Sequence, residues 1–158
     1  MSDTELTPLA QDLIDFTRSH IPQADTMAIA LGSYDGERIV LNAPLQPNIN
    51  DKGCAFGGSL VSVMTLAGWS LVELALRRRG LDCDVFVAES TVRYLAPVWS
   101  DFRGEARLAP GVEWDTFFAT LASRGRARIE VAADVPGEEA EPAATMTARF
   151  VAKRRSST

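Results

Sequence analysis

The longest apolar pattern in the chain runs from Phe56 to Leu76, where Glu73 is the only charged residue. Arg77, Arg78 and Arg79 close it, and Gly80 is placed to cap a helix end. A stretch of this kind approaches the roughly 20 residues that span a bilayer. Ser59, Ser62, Thr65, Ser70 and Glu73 are spread through it, however, and amphipathic segments flank it, so the pattern predicts a helix buried in a protein core. Upstream, Leu6, Leu9, Leu13 and Phe16 recur at helical spacing, with Thr7 as the predicted N-cap, Pro8 at the first helical position and Pro22 as the stop. Met27, Ile29 and Leu31 then alternate with smaller residues, Asp35-Gly36 marks a hairpin turn, and Ile39 and Leu41 resume the alternation. Residues 43–52, with Pro44, Pro47, Asn48 and Asn50, read as a loop.

After Gly80 the pattern is that of strands. They are predicted at residues 85–95, 102–108, 116–123, 126–133 and 145–153, separated by Pro97, Pro110-Gly111, Arg124-Gly125 and an acidic Pro/Gly loop over 134–142. In the first of them Val87, Glu89, Thr91 and Arg93 are expected on one face and Ala88, Ser90 and Val92 on the other. Ala127, Ile129 and Val131 alternate with Arg126, Arg128 and Glu130, which predicts one wet face. A helix, a hairpin, a long apolar helix and then strands predict an α+β fold, in which a curved antiparallel sheet wraps one central helix and supplies the cover it needs. No linker or repeat divides the sequence, so residues 1–158 are expected to form a single domain, with residues 1–5 and 154–158 frayed.

Composition narrows the chemistry. The 158 residues are enough for one real core. A formal net charge of −5 argues against nucleic acid and anionic membrane surfaces as partners, because phosphate neutralisation needs a basic face. Cys54 and Cys83 form no Cys-x-x-Cys pair, so no zinc or redox motif is indicated. The acidic start, Asp3 to Glu5, lacks the apolar core of a signal peptide, and a cytoplasmic location with reduced thiols is expected. His20 is the only histidine, which excludes a multi-histidine metal centre; it lies beside Pro22 at a helix end, a poor place for a catalytic triad.

The segment Asn50-Asp51-Lys52-Gly53-Cys54-Ala55-Phe56-Gly57-Gly58-Ser59-Leu60 joins a polar loop to the start of the apolar helix. A helix N-terminus offers unpaired N–H groups and a positive dipole end, and the two glycines allow another molecule close to that backbone. Such a turn suits an oxygen gaining negative charge, or a phosphate. Asp51 is a candidate general base or substrate-placing group, weighed evenly against an ordinary turn residue. Asn50 is a candidate for holding a water or a carbonyl, against an Asx-turn; Asn48 is the weaker of the two. Glu89 is a candidate base supplied by a dimer partner, against an ion pair with Arg93 or with a neighbouring strand, and Ser90 is a comparable orienting group. Thr65 lies two turns into the helix from Gly58, where its hydroxyl has access to the same side. Cys54, just before the helix, reads as a small packed residue more than as a nucleophile.

Pro47-Asn48-Ile49-Asn50, Gly53 to Leu60, Gly68-Trp69 and Arg93-Tyr94-Leu95-Ala96-Pro97 are similar to the putative thioesterase family typified by the C-terminal domain of the YiiD acetyltransferase, a resemblance that covers Leu6 to Lys153. It implies the hotdog fold and hydrolysis of acyl-CoA or acyl-carrier thioesters. It also implies no cofactor beyond the coenzyme A of the substrate, and a homodimer or dimer of dimers with acyl-thioester sites at the subunit interface. In hotdog thioesterases at large the frame reads Asn-x-x-Gly-x-x-His-Gly-Gly, with an acid one to two turns into the helix. Asn50, Gly53, Gly57 and Gly58 match that frame; Phe56 stands where the histidine would be and Thr65 where the acid would be. The resemblance thus implies a thioester carbonyl on the Gly57 and Gly58 N–H groups, with water activated by Asp51 or Glu89 and oriented by Asn50 and Thr65. The acyl group would be bound among Asn48, Phe56, Ser59, Leu60, Met64 and Ser90. Arg93, Arg124, Arg126, Arg128 and Arg149 are candidates for the coenzyme A phosphates, each more readily explained as a solvated surface group. Two alternatives stand beside this: a non-catalytic acyl-thioester binding module, and a hydroxyacyl dehydratase, which pairs a histidine with an acid and would have to use His20.

Overall fold

A computed structural model describes residues 2–156. In chain order its elements are α1 (Asp3–His20), α2 (Pro22–Thr26), β1 (Ala30–Tyr34), β2 (Ile39–Ala43), a 3₁₀ turn (Gln46–Asn48), α3 (Gly57–Arg78), β3 (Cys83–Tyr94), β4 (Phe102–Leu108), α4 (Trp114–Arg124), β5 (Arg126–Pro136) and β6 (Pro142–Arg154). The six strands form one sheet in the order β1-β2-β4-β5-β6-β3, and every neighbouring pair is antiparallel.

The apolar stretch is α3, which touches β2, β3, β4, β5 and β6, so the sheet wraps it as its composition demands. Of its most apolar window, 72% lies inside the protein, the signature of a core helix. Close approach of helix to sheet depends on two glycines. A Cβ on Gly104 of β4 would stand 2.9 Å from the Val63 carbonyl oxygen, and one on Gly68 of α3 would stand 2.9 Å from the Phe150 ring. Gly80, with φ +67, follows the helix end as expected.

Three expectations change. The first helix begins at Asp3, not at Pro8, because the Ser2 N–H is met by the Glu5 carboxylate at 3.1 Å and together they start the helix upstream. Pro8 lies inside α1, where it costs only one bond in an exposed early turn. Pro22 does end α1, and then opens α2.

Residues 116–123 are helical, part of α4, not a strand. Trp114, Phe117, Phe118 and Leu121 recur at i, i+3, i+4 and i+7, and Phe117, Phe118 and Leu121 are buried. That face packs on β5, and Gly125 ends the helix in the left-handed region at φ 73. The β-forming character of Thr116, Phe117 and Phe118 is overridden by this packing.

The third change is in β3. A bulge falls between Val87, opposite Phe150, and Glu89, opposite Arg149. The predicted alternation slips there: Val87, Ser90, Val92 and Tyr94 share the helix side with their buried β6 partners, whereas Glu89, Thr91 and Arg93 face away from α3. β3 is an edge strand of 12 residues with one ladder side unpaired.

The ends expected to fray carry specific contacts. Residues 3–5 begin α1, and Arg155 reaches both Asp82 and Asp84 at 2.8 Å. Met1, Ser157 and Thr158 lie outside the described residues.

Candidate active site at the start of the central helix

The loop before α3 is built to fix where the helix begins. An isolated bridge joins Ile49 and Ala55 across a tight loop whose Gly53 has φ +88. Asn50 holds this loop from within: its Oδ1 accepts the Lys52 N–H at 2.8 Å and the Cys54 N–H at 3.2 Å, and its Nδ2 donates to Cys54 Sγ at 3.2 Å. The amide expected to hold a water or a carbonyl is thus engaged in an Asx-turn. Cys54 is buried and its thiol is free of any disulfide.

Two backbone bonds then anchor the helix entrance. The Ala55 N–H donates to Val98 O at 2.8 Å and the Phe56 N–H donates to Asn48 O at 2.7 Å. Asn48 is only 2% exposed, and its Nδ2 donates to the carbonyls of Met27 at 3.0 Å and Pro44 at 2.8 Å. Asn48, expected among substrate-binding groups, is placed as an internal brace with no open face for a ligand.

Phe56 is the N-cap of α3, and its carbonyl accepts from Ser59 and Leu60. Among the described residues the N–H groups of Gly57 and Gly58 make no hydrogen bond, as the first turn of a helix requires unless a side chain caps it, and here none does. They are two parallel donors at the positive end of a long helix. The tightest helix-to-sheet approaches are at Gly68 and Gly104. A Cβ on Gly57 would meet the Tyr94 ring at 3.4 Å, and one on Gly58 would meet the Phe56 ring at 2.3 Å.

Beyond this turn, α3 leaves one stripe half-open: Gly57, Val61, Thr65, Trp69 and Glu73 at intervals of four, with Gly58, Ser62 and Leu66 beside them. Thr65 is on it, with Oγ1 lying 3.6 Å from Met146 Sδ. The Trp69 indole N–H donates to Val85 O at 3.1 Å and ties the stripe to β3. Ser90 and Tyr94 lie on the side of β3 that faces this stripe. Ser59, Leu60 and Met64, expected beside an acyl chain, are buried in the protein's own core. The half-buried side of α3 is Val61, Thr65, Leu66 and Trp69.

The two candidate carboxylates are outside this turn. Asp51 is 78% exposed and paired with Lys52 Nζ at 3.1 Å. Glu89 is 71% exposed, lies on the face of β3 away from α3, and sits 3.7 Å from Arg149. Arg149 is also held by Glu130 at 2.8 Å. Glu73, on the stripe, has its carboxyl raised by burial, with Arg77 and Arg155 pulling the other way. Tyr94 is not among the candidate residues that local spacing along the chain points to. Its signal was there in Arg93-Tyr94-Leu95-Ala96-Pro97, but the contact of its ring with Gly57 depends on strand register.

Residues 10–154 match the family described as Putative thioesterase (yiiD_Cterm). The chain belongs to that family. A Chlorobaculum tepidum protein of unknown function is 30% identical over 92% of this chain and 94% of its own, with a TM-score of 0.86. A putative thioesterase from Shewanella oneidensis is 29% identical over 93% of this chain and 99% of its own, with a TM-score of 0.82. A Pseudomonas aeruginosa protein described as a probable thioesterase shares the fold at 22% identity and a TM-score of 0.76, over 94% of this chain and 96% of its own. The fold is the hotdog fold, and the family is the one described as Putative thioesterase.

Proposed function

We propose that the protein hydrolyses acyl-CoA thioesters at the first turn of α3. The observation that carries this reading is the pair of unpaired N–H groups on Gly57 and Gly58, anchored from both sides by Ala55–Val98 and Phe56–Asn48. A thioester carbonyl oxygen accepts from these donors. Water attacks the carbonyl carbon and the oxygen becomes an oxyanion, which the same donors hold more strongly. The tetrahedral intermediate then collapses, the C–S bond breaks, and coenzyme A leaves as a thiolate that takes up a proton. One such donor is typically worth about 10²–10³ in rate. In this proposal Asp51, an exposed carboxylate of the loop before α3, takes the proton from the attacking water. Thr65 faces the half-buried stripe along which the acyl group lies. The chemistry needs no metal and no cofactor beyond the coenzyme A of the substrate. A net charge of −5 disfavours an acidic carrier protein as the acyl donor, because like charges slow encounter.

The working unit in this proposal is a homodimer. β3 presents 12 residues of unpaired edge, and Phe86, Val87, Tyr94, Leu95 and Trp99 are exposed on it or just beyond it. A bare edge of this length is a template for pairing, and two copies pairing β3 to β3 about a twofold axis close it. In that pairing Glu89 stays on the outer face of the sheet, beside Arg149.

The experiment is release of free thiol from acyl-CoAs by the purified protein, across chain lengths and aryl forms. Turnover with a preference supports hydrolysis. The exposure of Asp51 and its pairing with Lys52 favour one other reading, a module that binds acyl thioesters without cleaving them. Calorimetric binding with no thiol release would establish that instead.

A further inference from the structure

Two aromatic rings stand against the turn that carries the free donors. Ring atoms of Phe56 lie 2.3, 2.9 and 3.0 Å from where a Cβ on Gly58 would be, so the ring rests in space that only glycine leaves. Ring atoms of Tyr94, from the end of β3, lie 3.4 to 4.0 Å from the corresponding point on Gly57. Phe56 is 56% exposed and Tyr94 57% exposed, so neither ring is packed away in the core. The two rings come from different elements and meet at consecutive glycines.

From this juxtaposition we infer that Phe56 and Tyr94 select acyl groups that are planar next to the carbonyl, namely aryl-acyl and 2-enoyl thioesters. The inference rests on the reading of Gly57 and Gly58 as the carbonyl-binding donors. With the carbonyl oxygen on those N–H groups, the acyl carbon next to the carbonyl emerges beside the two rings. A conjugated acyl group shares one plane with its own carbonyl, so the orientation that serves the oxygen also presents a π face or edge to each ring. Aromatic pairs prefer such offset or edge-on contacts. A saturated acyl group of the same carbon skeleton is thicker and has no such face, so it receives only the general apolar contact. Phe56 and Tyr94 are thus specificity residues that act by placing the acyl group.

The test uses benzoyl-CoA and cyclohexanecarbonyl-CoA, which share a carbon skeleton and differ in planarity. The quantity read is the ratio of their kcat/KM values. Comparing that ratio between wild type and variants cancels the intrinsic reactivity of the two thioesters. Phe56→Leu and Tyr94→Leu keep apolar bulk and remove the ring; each is expected to lower the ratio roughly 2- to 10-fold. Tyr94→Phe keeps the ring and is expected to restore it. Non-hydrolysable ketone analogues of the two thioesters, measured by calorimetry on the same proteins, carry the same ratio as binding constants. Absence of thiol release from wild type would overturn the hydrolytic reading while the calorimetric ratio still judged the aromatic selection. A ratio unchanged in both leucine variants, in turnover or in binding, would overturn the selection.

Discussion

Replacing Asn48 with alanine tests the brace that sets the start of α3. The side chain is 2% exposed and its Nδ2 donates to Met27 O at 3.0 Å and Pro44 O at 2.8 Å. Two hydrogen bonds at about 0.5–1.5 kcal/mol each give about 1–3 kcal/mol. The loss is at the upper end, because both carbonyls are left without this donor in a closed space and a small void remains. Relief is limited to Oδ1, which is buried without a partner and whose removal recovers part of its own cost. The expected net loss is about 3 kcal/mol. For a domain of this size that is a fall in Tm of roughly 6–12 °C. Asn48→Asp should be worse at neutral pH, because a carboxylate would face the same two carbonyls. Its carboxyl would be raised by that environment, so stability should return as pH falls and the group protonates. Thermal melts at several pH values read both effects. A Tm within 2 °C of wild type for Asn48→Ala, where about 1 kcal/mol is the most that shift allows, would refute the brace.

Four further outcomes follow from the same structure. Gly104→Ala places a methyl 2.9 Å from the Val63 carbonyl oxygen, a backbone atom that cannot swing aside, and should cost about 1–3 kcal/mol in a denaturant titration. Asp51→Asn, at a side chain 78% exposed, should leave the melting curve unchanged while lowering kcat by about 10²–10⁴; unchanged turnover would remove Asp51 from the role of base. Burial raises the Glu73 carboxyl, so its folded pKa lies above its unfolded one. Its stabilising effect is full below the unfolded value and is lost as pH rises through the folded value. Glu73→Gln should therefore flatten the pH dependence of Tm in the weakly acidic range and raise Tm at neutral pH. Val87→Asp, on the half-open helix side of the β3 edge, should shift the protein from dimer to monomer in sedimentation, because the charge would be buried in both copies on pairing.

Much of the fold was legible because its strongest pattern was also its decisive one. A helix apolar on nearly every side demands a cover, and the alternating segments around it could only supply a sheet. Alternation placed Ala127, Ile129 and Val131 correctly inside β5. The same rule failed in β3, because the bulge after Val87 adds a residue and reverses the faces beyond it, and nothing in the run Val87-Ala88-Glu89 marks it. Residues 116–123 were misread because their threonines and phenylalanines carry strand character, while the 3.6 period appears only once Trp114 is counted with them.

The site divides in the same way. Gly57 and Gly58 could be placed from sequence, since free donors follow from a helix start alone. The roles of Asn48 and Asn50 could not, because a loop asparagine turned inward and one turned toward a ligand have the same local sequence. Leu60 and Met64 were assigned to the ligand side for want of helix phase. Phase became readable only when the sheet showed that Val61, Thr65 and Trp69 form the half-buried stripe. Tyr94 is brought to Gly57 by long-range register, which no spacing along the chain encodes.

The most direct test of the central claim is a thiol-release assay on the purified protein with acyl-CoAs from acetyl to palmitoyl and with benzoyl-CoA. Hydrolysis at the α3 turn predicts turnover with a clear preference within that series. Binding by calorimetry with no thiol released from any of them would contradict it and make the protein an acyl-thioester binding module.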